Sequence, residues 1–222
     1  MGVVTGQVSG MMSKPVAGPV TRAEWADERL RDEILSGRLR PGDRIPTEQL
    51  AELWGVSATP IRESLRRLAG DGLVDLTPQR GARVAVVDAA LAHEIYAVRL
   101  LLEPVALRQC LDAADGDPTF GPDVQAAFAA LASAVDATER LDTHRTFHLT
   151  LMSRCPNRTL LEQIASLMDR SRLFQIASAP TDTRVGHAHD HRLLRDAAVA
   201  GDAETVIAIH VRHLTSTIDS LF

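Results

Sequence analysis

Residues 41–84 read PGDRIPTEQLAELWGVSATPIRESLRRLAGDGLVDLTPQRGARV. Two short helical patterns are joined by Gly55-Val56, and two short extended runs follow around a basic turn. The first helix starts near Thr47 and ends before Gly55, with Leu50 and Leu53 expected to face inward. Ser57 stands where an N-cap belongs, and Pro60 falls in the first turn, where its missing N–H costs little. Ile61, Leu65 and Leu68 fall at i, i+4 and i+7 and form the buried face of a helix reaching about Ala69. Arg62 and Arg66 share another face, with Arg67 beside it. Gly70-Asp71-Gly72 stops the helix. Leu73–Leu76 and Ala82–Val87 read as strands, joined by Thr77–Gly81. This is the layout of a winged helix-turn-helix, which sets one helix in the DNA major groove. The expected DNA contacts are Arg44, Ser57, Ala58, Thr59, Arg62 and Arg66, with Arg80 and Gly81 in the wing.

Working outward, residues 1–20 combine Gly, Val and Ser with two prolines and no period, and read as a disordered tail. A helix is expected from about Arg22 to Ser36, capped by Thr21 with Glu24 completing a capping box and Gly37 as its stop. The DNA-binding domain is therefore placed at 21–87. From residue 88 to 222 only helical patterns appear, at about 89–112, 121–136, 139–154, 158–177, 184–200 and 202–220, with loops at 115–122 and 179–182. Six helices joined by short connections make an all-α bundle, so the fold class is mainly α.

The net charge of −5 is unevenly placed. Residues 21–87 hold 11 Arg and 11 acids, residues 88–222 hold 12 Arg and 18 acids, and Lys14 supplies the remaining +1. Phosphate binding depends on local charge, so the acidic total does not exclude DNA. No apolar run approaches the ~20 residues that span a bilayer, so no membrane partner is expected. The N-terminus lacks an apolar secretory core. Cys110 and Cys155 lack metal-type spacing and read as buried, reduced thiols of a cytoplasmic protein.

GVSATPIRESLRRLAGDGLV (55–74) followed by QRGARV (79–84) resembles the DNA-binding domain of the GntR family of bacterial transcription regulators. EIYAVRLLLEPVAL (94–107) resembles the first helix of the FCD ligand-binding domain, which marks the FadR subfamily, in its six-helix version. The resemblance implies a homodimeric repressor whose binding to double-stranded operator DNA responds to a small effector, commonly an organic acid. Where family members often carry a guanine-reading Arg after the capping residue, this chain has Ala58. A different operator sequence is therefore expected.

Seven of the eight histidines lie beyond residue 140. His144 and His148 are four apart and project from one helical face, shared with Leu141 and Leu151. His191 lies on a stripe with Leu194 and Ala198, and His213 lies near Ile209. Such a set suits a transition metal. The resemblance implies an Asp-x3-His pair and two later His residues, here His148, His191 and His213, with His144 standing in the Asp position. Asp142 lies about 240° around the helix from His148 and cannot substitute.

Two readings stay open. Either His144 is a ligand in an all-imidazole site, favouring zinc or nickel over manganese or magnesium, or it only hydrogen-bonds, and three histidines hold the metal or none is held. His187 is a reserve ligand, and His93, His189 and His210 read as structural or solvated. Arg99 could clamp an effector carboxylate or pair with Glu103. Asn157 could touch ligand or cap the next helix. The competing function is a helical metal-dependent enzyme, but no Glu stands at HExxH-like spacing to act as a general base, so no enzyme activity is expected.

Overall fold

The computed structural model describes residues 21–177 and 184–220, apart from the side chains of 184–187 and 220. The expected tail (1–20) and the loop at 179–182 lie outside them. The chain divides into two compact units. Among the described residues, one takes 21–87 with Arg172–Ala177, and the other takes Asp88–Ser171 with 184–220.

In the first unit, α1 (Arg22–Leu35) begins at Thr21. The Thr21 hydroxyl accepts from the Glu24 N–H at 3.2 Å, and the Glu24 carboxylate accepts from the Thr21 N–H at 2.8 Å. Both arms of the expected capping box are made. Gly37, at φ 76°, follows the C-cap Ser36. Helix α2 (Thr47–Trp54) ends on Gly55 at φ 64°, whose left-handed backbone turns the chain tightly into α3 (Ala58–Gly70).

Strands β2 (Val74–Thr77) and β3 (Gly81–Val84) form the wing hairpin. A two-residue strand that the sequence reading lacked, β1 (Arg44–Ile45), pairs antiparallel with β3 and makes the sheet order β1-β3-β2. It is too short to show an alternation, and its partner is nearly forty residues away. Leu30, Ile34, Leu50, Ile61, Leu65, Leu68, Leu73 and Val84 fill the core. Leu53 does not join them. It is 48% exposed, because the eight-residue α2 buries only Leu50 and Ala51.

Beyond the first unit's strands, α4 (Ala89–Ala114), α5 (Phe120–Ser133), α6 (Ala137–Thr150), α7 (Arg158–Ala177), α8 (Arg184–Val199) and α9 (Ala203–Ser220) are the six expected helices, with no end shifted by more than four residues and both ends of α7 as expected. The last six residues of α7 group with the first unit. Leu107, Cys110, Val124, Phe147, Leu151, Met152, Ile164, Leu194 and Val206 form one continuous core across this second unit. Asn157 caps α7, its side-chain oxygen accepting from the Leu160 N–H at 3.0 Å. Cys110 and Cys155 are buried and free. No helix among the described residues is long and apolar enough to cross a membrane.

Removing the α1 cap should be measurable. Thr21→Ala is expected to cost about 1 kcal/mol in urea unfolding; an unchanged midpoint would mean α1 is held by its packing alone.

Candidate metal centre and nucleic-acid interface

Three helices of the second unit bring imidazoles to one point. Helix α6 supplies His144 and His148 one turn apart, α8 supplies His191 and α9 supplies His213. One ring nitrogen from each lies within 4.8 Å of all the others. The His148 Nε2 is 3.1 Å from the His144 Nε2 and 3.2 Å from the His191 Nε2. A tetrahedral ion with Zn–N bonds of about 2.0–2.1 Å sets its ligand nitrogens about 3.3 Å apart, so these two edges fit. His148, His191 and His213 are buried and His144 half-buried.

Burial pushes the His148 imidazole well below its ordinary range, and repulsion from His144, His213, His191 and His210 pushes it further. A neutral ring is the form that ligates a metal. The sequence pattern thus brings together all four expected histidines. The exposed His189 stands apart, and the side chain of His187 lies outside the described residues.

Asp190, which the sequence reading passed over, is 92% buried beside the cluster. Its Oδ2 lies 3.8 Å from the His213 Nδ1, and its Oδ1 accepts from the Arg212 Nη2 at 2.6 Å. Only its position next to His191 could have flagged it. Asp142, by contrast, is exposed.

A second polar group lies beneath. Arg99 is buried; its Nε donates to the Glu103 Oε1 at 2.5 Å and its Nη1 to the Ser171 Oγ at 3.0 Å. The guanidinium also sits 4.8 Å from the Tyr96 ring centroid. The other Glu103 oxygen meets the His210 Nε2 at 2.6 Å. Of the two roles open to Arg99, the ion pair with Glu103 is the contact present. His210 is fully buried in this network and not solvated. Burial acts to raise the Glu103 pKa, but Arg99 and His210 outweigh it and hold the carboxyl down at about 2.

In the first unit, Arg44, Ser57, Thr59, Arg62, Arg66, Arg80 and Gly81 are exposed and Ala58 is half-buried. Ser57 has the extended backbone of an N-cap, but its hydroxyl makes no capping hydrogen bond. It is left to other partners. Arg62 donates to Glu48 at 2.6 Å, both side chains being mostly exposed. Arg67 leaves the presenting face. It binds Asp27 and the Ala23 carbonyl and so ties α3 to α1. The wing turns through Gln79 at φ 60° and Gly81 at φ 87°.

Residues 22–84 match the model of bacterial regulatory proteins of the gntR family, and residues 94–216, more than half the chain, match the FCD domain. The chain belongs to the GntR family. It is a transcriptional regulator with an FCD effector-binding domain. GntR regulators bind DNA, FCD domains bind small effectors, and the members of these families are regulators, not enzymes.

Among its relatives, the HTH-type transcriptional regulator BphR of Paraburkholderia xenovorans is 29% identical over 92% of this chain and 86% of its own. The probable D-xylose utilization operon transcriptional repressor of Paenarthrobacter nicotinovorans is 30% identical over 78% and 76%. The solved structure of E. coli McbR/YncC has a TM-score of 0.80 at 25% identity, covering 91% of this chain and 97% of its own.

Acid should act through Glu103. Its folded pKa of about 2 lies below the ordinary 4.5. Its contribution is therefore complete above the unfolded value and is lost as pH falls from about 4.5 towards 2. Glu103→Gln, which strands the Arg99 charge, is expected to cost about 3–5 kcal/mol at neutral pH. It should also flatten the acid limb of the stability–pH curve, and an unchanged limb would show that other carboxylates set it.

Proposed function

We propose that this regulator is a homodimeric repressor of the FadR type whose hold on a roughly palindromic operator is set by a metal-dependent small-carboxylate effector. What carries the reading is the convergence of four imidazoles inside the domain that accompanies a winged helix-turn-helix. His144, His148, His191 and His213 would hold a divalent transition metal. The donor set has no carboxylate and suits zinc or nickel better than manganese or magnesium. When bound, such an ion supplies positive charge in a site of neutral ligands, which attracts an anionic effector. Burial and the neighbouring imidazoles favour the neutral His148 ring, and the ion pair of Arg212 with Asp190 keeps a carboxylate beside the His213 ring. An effector carboxylate reaching for Arg99 would have to compete with Glu103. Coupling to DNA requires the effector to bind the DNA-competent and DNA-incompetent arrangements with different affinity.

On the DNA side, Ser57, Thr59 and Arg62 begin the reading helix, with Arg66 one turn beyond Arg62. Arg44, Arg80 and the open backbone at Gly81 serve phosphate or minor-groove contacts. Releasing Arg62 from Glu48 costs at most about 1 kcal/mol, since exposed pairs are weak. Ala58 offers no hydrogen bond to a base.

The decisive experiment titrates the purified protein, chelated and zinc-loaded, against the DNA upstream of its own gene and against random DNA. Preference for the former, changed by a carboxylate only in the metal-loaded form, is expected; equal binding to both DNAs in every condition would end the reading.

The metal assignment is checked separately by calorimetry. His148→Ala and His191→Ala should each weaken zinc binding by more than the roughly 10–100-fold typical of outer-shell changes. His144→Asp should keep binding while moving preference towards manganese. Zinc affinity indifferent to His148→Ala would refute the site.

Base preference is checked by binding-site selection. Ala58→Arg should gain about 1–3 kcal/mol of discrimination for a guanine at one position of each half-site. An identical selected sequence would remove Ala58 from the account.

A further inference from the structure

Helix α2 sends one acid to the presenting face of α3. Glu48 lies in the first turn of α2, and its Oε1 accepts from the Arg62 Nη2 at 2.6 Å. The Glu48 side chain is 72% exposed and the Arg62 side chain 60%, so the pair stands on the open surface of the head. The pairs between α1 and the end of α3 are different. Asp27 holds both Arg67 and the Ser64 hydroxyl, and Arg31 holds Asp71, which fastens two packed helices together. Among the described residues Glu48 holds only the exposed Arg62, and its Oε2 has no hydrogen bond.

An acid on this face has to be reconciled with DNA. Phosphates surround the groove with negative charge and repel a carboxylate that enters it without a donor to meet. The major-groove edges offer two kinds of N–H donor, the amino groups of adenine and cytosine. The adenine amino group stands between two acceptors, its own N7 and the thymine O4, and both repel a carboxylate. The cytosine amino group has one acceptor neighbour, the guanine O6 of its own pair. A guanidinium bound to that guanine covers the O6. An acid that travels with an arginine is therefore suited to a G·C pair.

We infer that Glu48 is a specificity-determining residue, and that it accepts from the cytosine amino group of the G·C pair whose guanine Arg62 reads. This rests on the reading of α3 as the helix that enters the groove. The Glu48–Arg62 pair need not open for it. A guanidinium has two donor edges, and the Glu48 contact occupies one. The other edge keeps two N–H groups for the guanine N7 and O6. The open Oε2 of Glu48 is left for the cytosine N–H. Each partner also steadies the other. Arg62 offsets the repulsion between Glu48 and the phosphates. Glu48 holds Arg62 away from the phosphates, where it would carry no sequence information.

A different role for Glu48 would leave a different trace. An acid in the first turn of α2 is favoured by the helix dipole alone. In that role its removal changes stability and leaves base choice untouched.

Chemically altered DNA separates the two roles. Binding-site selection with the full-length protein first defines the preferred sequence, and Arg62→Ala identifies the guanine that Arg62 reads. Each selected cytosine is then replaced by N4-methylcytosine, which keeps its base pair but puts a methyl group in place of the amino hydrogen that faces the groove. Affinity is measured for the wild type and for Glu48→Ala. At the cytosine paired with the Arg62-dependent guanine, methylation should weaken wild-type binding by about tenfold and leave Glu48→Ala nearly unaffected. Both side chains are exposed, and circular dichroism checks that the variants keep the fold.

Equal losses in wild type and Glu48→Ala at every selected cytosine would overturn the role of Glu48 while sparing α3 as the reading helix. A Glu48-dependent cytosine outside the Arg62 pair would overturn the joint reading. A wild-type protein that selects no sequence would overturn the proposal and the reading of α3 together.

Discussion

Four imidazoles around one buried point set a proton-counting problem. A neutral ring has one N–H and one in-plane lone pair. The His148 Nε2 faces two other Nε2 atoms at 3.1 and 3.2 Å. It can donate to one of them or accept from one, and the other contact then has no good hydrogen bond. The His148 Nδ1 is also buried with no hydrogen-bond partner. Protonating the rings would give each nitrogen a hydrogen, but it would place like charges a few ångströms apart in a dry interior, and burial already drives His148 towards the neutral form. A shared cation accepting a lone pair from every ring, as proposed above, would resolve this conflict. The chemistry of the donor set thus argues for a metal independently of the family.

The surrounding helices depend on a second buried group. Glu103 joins Arg99 on its own helix to His210 on α9, and Arg99 reaches Ser171 on α7. The Glu103–Arg99 pair thus ties three helices, the carboxylate reaching α9 and the guanidinium α7. Because His210 and His213 lie on the same α9, the Glu103 contact also fixes the rotation of the helix that delivers His213. The His148 and His210 rings, with centroids 5.3 Å apart, bring the two groups into contact. An ion pair this deep does little for net stability. Its value lies in fixing which face of α9 points at the cluster.

Much of this was legible in the sequence because it follows local rules. Thr21 with Glu24, Gly55, Pro60 and the run from Gly70 to Gly72 mark boundaries by their own backbone chemistry. The His144–His148 spacing places two rings on one face wherever the helix goes. What escaped was non-local. Strand β1 exists because β3 lies beside it. Leu53 remains exposed because α2 is short and its neighbours cover only Leu50 and Ala51. Arg67 looked like part of the presenting face, since nothing in its own helix shows that Asp27 stands within reach. Asp190 and His210 owe their meaning to partners more than twenty residues away, so neither could be told from an ordinary polar residue.

The charge distribution connects the head to the question of assembly. The head has as many acids as arginines, and several arginines are spent internally. Arg31 binds Asp71, Arg38 binds Asp32 and Glu33, and Arg67 binds Asp27. Arg44, Arg66 and Arg80 carry no such pair among the described residues, and Arg62 holds only an exposed one. The expected contacts Arg44, Arg62, Arg66 and Arg80 alone would give one head only a modest counterion-release contribution. A single head should therefore be a weak and indiscriminate ligand for DNA. Linking two heads changes this without any new contact, because the second binding event draws on a high effective concentration.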